Sequence, residues 1–181
     1  MKTRDLILCA VFAAIIAVLA QISIPLPGGV PLTMQTLAVG LAGVILKSKK
    51  GFISVLIYIL MGTIGIPVFA NFTGGIGIVL GPTGGFIIAF PIMAFIIGLV
   101  SEKTNKRYLI FIGFFIGTLV TYTIGTIQFS IVTGESIYKG ILLCVAPFIV
   151  TDLIKGTLVS VLGETLKEHK GIKRILNYDR A

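Results

Sequence analysis

The sequence predicts an all-α integral membrane protein, and three observations carry that reading. Hydrophobic residues make up 56% of the 181 positions and charged residues only 12%, with a mean hydropathy of +1.07, whereas a soluble domain carries about 25% charged residues. Long apolar runs alternate with short polar stretches along the whole chain. The basic residues gather in those stretches and form no helix face, so topology accounts for the net charge of +8 and no nucleic-acid partner is expected. One domain, residues 1–181, with six membrane spans follows, at about 6–24, 33–46, 51–66, 86–100, 108–129 and 140–162.

The first run, Leu6 to Ile24, is longer than a signal-peptide core of about 7–15 residues and has Asp5 at its threshold, which suits a retained span. Ala10, Ala13, Ala14 and Ala17 recur on it at i, i+3, i+4 and i+7, a strip of small side chains that lets another helix approach closely, from the same bundle or from a second membrane protein. Pro25, Pro27 and Pro31 with Gly28 and Gly29 make the next segment an uncharged, non-helical loop. The run from Thr33 to Leu46 is short for a span and opens on Thr33, Gln35 and Thr36, so part of it is expected to meet a cavity. Lys47 to Lys50 form a polar connection to the third run, which Pro67 stops.

Residues 67–85 hold many glycines among apolar side chains and no charge. Such a stretch is either a structural hairpin or a segment that dips to membrane depth and lines or lids a pocket. The fourth run carries Pro91, expected to kink it or to begin its regular part. The fifth, Tyr108 to Phe129, is rich in threonine in its outer half and includes Tyr122 and Gln128. The sixth, Gly140 to Leu162, has Pro147 upstream of two opposite charges, Asp152 and Lys155.

Those charges are the sharpest signal. An ionisable group near a bilayer centre costs about 2.5–3.5 kcal/mol on insertion scales, and the i, i+3 spacing puts both on one helix face. Thirteen of the fifteen basic residues lie on one side of the six-span topology: Lys2, Arg4; Lys47, Lys49, Lys50; Lys103, Lys106, Arg107; Lys167, Lys170, Lys173, Arg174 and Arg180. Both termini are therefore expected in the cytoplasm. Gln21, Gln35, Asn71 and Gln128 then map to the external side, and in an unbroken sixth helix Asp152 sits roughly 18 Å from the start, at ~1.5 Å per residue. A substrate cavity open to the outside with Asp152 near its floor is the expectation. Asp152 suits N–H donors, Asn71 a carbonyl and Lys155 an anion, within apolar walls; a salt bridge that merely offsets its own desolvation is the alternative.

Other chemistry finds no support. No catalytic, Walker or dinucleotide-binding motif is present, so no enzyme and no ATP hydrolysis by this chain are expected. Cys9 and Cys144 lack metal-ligand spacing and read as small buried hydrophobes, His169 reads as a solvated tail residue, and neither metal nor cofactor is expected.

Gly81-Pro-Thr-Gly-Gly-Phe86, Asn71 with its glycine run, and Ala146-Pro-Phe-Ile-Val-Thr-Asp-Leu-Ile-Lys155 together resemble the BioY family, the biotin-binding S components of energy-coupling factor (ECF) transporters. The resemblance spans essentially the whole chain. It implies biotin as ligand, Asn71 and Asp152 at the ureido ring, Lys155 at the valerate end, Gly81 bordering the pocket, and a weaker contribution from Gln35. It further implies docking of the Ala10, Ala13, Ala14, Ala17 strip on a transmembrane T component, two cytoplasmic ATPase subunits, and residence in a bacterial cell membrane. The chain departs from the family pattern in having Val150-Thr151 before the aspartate, so the helix there is expected to be more regular, and Phe86 where a hydroxylated aromatic is common. Gln21→Ala is expected to leave binding intact while Asp152→Ala and Lys155→Ala abolish it. A self-sufficient proton-coupled carrier, with Asp152 titrating against Lys155, is the alternative, weakened by the lack of similarity between the two halves of the chain.

Overall fold

The computed structural model describes residues 3–26 and 28–169. Lys2, Lys170, Lys173, Arg174 and Arg180, five of the residues that set the expected orientation, lie outside them. Helix α1 (Thr3–Ala20) ends four residues earlier than expected, because Ser23–Ile24 (β1) pairs antiparallel with Leu32–Thr33 (β2). Residues 25–26 and 28–31 thus lie between the strands of a short hairpin.

Helix α2 (Gln35–Thr63) takes in most of both the second and the third expected spans. It breaks at Lys47, which adopts φ 68° and ψ −179°, a nearly glycine-only conformation costing about 1–3 kcal/mol for another residue. The polar connection expected over Lys47 to Lys50 therefore shrinks to one residue. The legs 35–46 and 48–63 fold back on each other: a Cβ at Gly51 would come within 3.1 Å of the Gly43 Cα, and at the far end Gln35 Nε2 donates to Tyr58 Oη at 2.7 Å.

A 3₁₀ turn at Ala70–Phe72 and the short α3 (Ile76–Leu80) lead to α4 (Gly84–Lys103), which runs unbroken past Pro91. Helix α5 (Arg107–Thr133) follows. The expected sixth span is broken into α6 (Ile137–Cys144), a 3₁₀ turn at Ala146–Phe148, and α7 (Ile149–Glu168). Pro147 is the reason: it lacks an N–H and its ring clashes with the carbonyl four residues back. The segment before Asp152 is thus less regular than expected, and Asp152 stands in the first turn of α7, not a dozen residues into an unbroken helix.

By length and composition, α1, α4, α5 and the run Ile137–Glu168 can each cross a membrane. With the two legs of α2 they make six crossing segments. The bundle closes where small residues admit a neighbour's backbone or side chain: Gly43 against the Ala94 carbonyl, Gly117 against Met93, and Gly163 against Val44. Ile16, Val39, Val55, Met93, Ile97 and Phe114 fill the core between them. One end of the bundle is tied by charge. Lys50 pairs with Asp5 at 2.6 Å, Ser48 donates its N–H and hydroxyl to Glu102 at 2.9 and 2.6 Å, and Arg107 pairs with Glu164.

Candidate functional site

The opposite end holds a cavity of ≈ 220 Å³. Asp152 and Lys155 both reach it, although they are only 5% and 3% exposed. Lys155 Nζ donates to Asp152 Oδ1 at 2.8 Å and to Thr36 Oγ1 at 3.1 Å, while the Thr36 hydroxyl donates to the same carboxylate oxygen at 3.1 Å. Tyr122 Oη donates to Asp152 Oδ2 at 2.7 Å. The pair is thus a four-residue network drawn from the first leg of α2, α5 and α7. Each contact to an ionised group in such a network is worth about 1.5–3 kcal/mol, which offsets the desolvation that an isolated charge would suffer. The position of Asp152 in the first turn of α7 adds a favourable interaction with the helix dipole.

Around these charges the wall is mainly aromatic and aliphatic, from Phe69, Ile78, Phe86, Ile87, Phe90 and Phe148, together with Val30 and Pro31 of the hairpin. Neutral polar groups are set among them: Gln35, Asn71, Thr73, Thr83 and Thr121. An apolar cavity with a few convergent polar groups is the usual form of a small-molecule site. Gln35 is buried and oriented on both sides, its Oε1 accepting from Thr33 Oγ1 at 2.7 Å and its amide nitrogen bonded to Tyr58. Tyr58 in turn packs edge-on against Phe69, ring centroids 5.6 Å apart.

Of the residues singled out in the sequence, the structure brings Asn71, Asp152, Lys155 and Gln35 to the cavity wall. Gly81 is not on that wall. The glycine loop reaches it at Ile78 and Thr83, and the Gly81 carbonyl is turned to Gln128, accepting from Nε2 at 2.9 Å. Gln21 and Gln128 also do not face the cavity; each is spent on backbone of residues 68–81. Two functional neighbours escaped the sequence reading: Tyr122 and Thr36, whose polarity was visible but whose convergence on Asp152 was not. Cys144 is buried, as expected of a small hydrophobe, yet it also lines the cavity.

The charges touch, and that bears on their roles. With Lys155 Nζ 2.8 Å from Asp152 Oδ1, the two groups stand as one adjacent donor and acceptor on the cavity wall. A neighbouring acceptor and donor suit one edge of a ureido group, with its adjacent N–H and C=O.

The alanine strip is divided as well. Ala13 is fully buried in the core and Ala17 half-buried against it, while Ala10 and Ala14 are exposed. Ala13 is therefore a bundle residue and unavailable for docking.

A model of the BioY family matches residues 1–171. The chain belongs to the BioY family. It is 47% identical over 167 residues, 92% of this chain and 98% of the relative, to a protein of Pyrococcus horikoshii named probable biotin transporter BioY. To biotin transporter BioY2 of Lactococcus lactis it is 42% identical over 169 residues, 91% of each chain. To biotin transporter BioY of Thermotoga maritima it is 38% identical over 165 residues, 91% of this chain and 96% of that one. Its fold matches a crystal structure described as the S-component for biotin from an ECF-type ABC transporter, with a TM-score of 0.87, 26% identity, and coverage of 97% and 99%. An all-α, multi-pass membrane architecture is thus common to this BioY family chain and that neighbour.

Proposed function

We propose that this chain is the biotin-binding membrane subunit, or S component, of an ECF-type uptake transporter. The observation that carries the reading is the Asp152–Lys155 pair, held by Tyr122 and Thr36 against an aromatic-walled cavity at the end of the bundle remote from the charged ties. A carboxylate that accepts from a ureido N–H, beside an ammonium that donates to the ureido carbonyl, recognises a polar ring sunk among apolar side chains. In this proposal both charges serve the ring end, with Asn71 and Gln35 as further polar contacts.

Both termini lie in the cytoplasm and the cavity faces outward, as the distribution of basic residues supports. The chain has no nucleotide-binding motif, so transport draws on ATPase subunits and a transmembrane T component. Ala10 and Ala14, exposed on α1, form the small-residue part of the face that meets that component. Calorimetric titration of the detergent-purified chain with biotin tests the ligand: stoichiometric binding is expected, and no heat at micromolar biotin overturns the reading. For the docking face, Ala14→Trp is expected to block assembly with the partner subunits while biotin binding persists.

A further inference from the structure

We infer that Gln21, which is not part of the cavity wall, positions Asn71 over the ligand. The inference rests on the reading of the cavity as a biotin site, and it turns on backbone geometry. Asn71 and Phe72 both lie in the left-handed region, at φ 57° and φ 56°. Asparagine tolerates that conformation because its short polar side chain bonds locally; phenylalanine has no such compensation. Nor does packing hold Phe72, a residue 72% exposed.

The Gln21 side chain holds it. Gln21 Oε1 accepts the Phe72 N–H at 2.8 Å, and Nε2 donates to the carbonyls of Phe69 at 3.1 Å and Val68 at 3.3 Å. The same nitrogen bonds the Ala17 carbonyl at 2.9 Å, so one amide fastens the turn to the last turn of α1. The ring of Phe69, fully buried, anchors the upstream end: a Cβ at Gly62 would lie 2.1 Å from it. Between these two fixed points Ala70 and Asn71 lie on the cavity wall, and of the two only Asn71 brings a polar side chain. With the Gln21 contacts gone, Phe72 returns to negative φ, the peptide before it turns, and Asn71 leaves the wall. Gln21 is thus a positioning residue that acts through Asn71.

The test uses the full-length chain in detergent, with biotin as probe and with hydrogen exchange in its absence. Gln21→Met keeps side-chain length and removes every hydrogen bond; it is expected to raise the biotin Kd by about tenfold and to speed amide exchange over residues 68–73. Asn71→Ala raises Kd similarly, and Gln21→Met added to Asn71→Ala raises it no further, the sign of one acting through the other. Losses that multiply in the double variant, or a wild-type Kd in Gln21→Met, overturn the inference. Should Gln21→Met fail to fold, Gln21→Asn, one methylene short of Phe72, is expected to show the same pattern, and wild-type behaviour there overturns it equally. Absence of biotin binding to the unaltered chain would defeat the ligand reading, and exchange over 68–73 would still judge Gln21.

Discussion

Helix α7 carries two buried lysines three turns apart, and they are satisfied in opposite ways. Lys155, at 3% exposure, meets a carboxylate, Asp152, and a hydroxyl, Thr36, on the wall of a cavity. Lys167, at 7%, meets no carboxylate among the described residues; it donates to the Ser101 carbonyl at 3.2 Å, to the Ser101 hydroxyl and to Asn105 Oδ1 at 3.5 Å. Its partners belong to the end of α4 and the turn beyond it, so Lys167 ties the ends of two helices together, remote from the cavity. The difference teaches that burial of a charge marks a site only when its partners can also turn to a ligand. A lysine enclosed by backbone carbonyl and amide is structural; a lysine sharing a carboxylate with a cavity is poised for recognition.

The largest effect expected from breaking this contrast is at Asp152. Asp152→Ala removes the acceptor of three donors and leaves the Lys155 charge buried without its partner, a loss of about 3–5 kcal/mol. Biotin affinity is expected to fall by at least about a hundredfold, with a lowered Tm alongside. Calorimetry and thermal unfolding of the purified chain check both. Wild-type affinity in that variant would remove the pair from the binding site.

Lys155→Met comes next, because Tyr122 and Thr36 still hold the carboxylate. A loss of ~2 kcal/mol, or about thirtyfold in Kd, is expected. Biotin methyl ester makes the comparison sharper. If Lys155 serves the ureido ring, Lys155→Met weakens biotin and its ester by the same factor. If the ester binds the unaltered chain poorly and the variant erases that difference, Lys155 serves the carboxylate instead.

Much of the site could be read from the chain, and the reason is local. Two opposite charges at i, i+3 in an apolar run are conspicuous wherever the helix lies, and Gln35 stood out at the start of a short span. Tyr122 and Thr36 could not be assigned to Asp152, since they come from 30 and 116 residues away and only packing brings them together. Periodicity aligned the four alanines on one strip but not against a neighbour, and Ala13 lies far enough round α1 to be buried when Ala10 is exposed. The break at Pro147 had its signal in the sequence; at Lys47 the basic stretch marked where the chain turns but not that one residue suffices, because a single lysine at positive φ is set by the folded hairpin around it. Gln21 reads in the sequence as one of the external amides, and its partners could not be assigned because they are backbone groups of residues 68–72, to which residue types give no clue.

The smallest effect on binding belongs to Lys167→Met, and it decides whether the contrast between the two lysines holds. The variant keeps the aliphatic bulk and deletes the amine, leaving the Ser101 carbonyl and the Asn105 amide oxygen without their donor. A cost to stability of about 1–3 kcal/mol is expected, read as a lower Tm. Biotin affinity is expected to stay within about twofold, because Lys167 shares no partner with Asp152, Thr36 or Tyr122 and distant, unlinked sites act independently. Should Lys167→Met instead weaken biotin as strongly as Lys155→Met, the two ends of α7 respond as one rigid unit, and the cavity depends on the charged ties at the far end of the bundle as much as on its own walls.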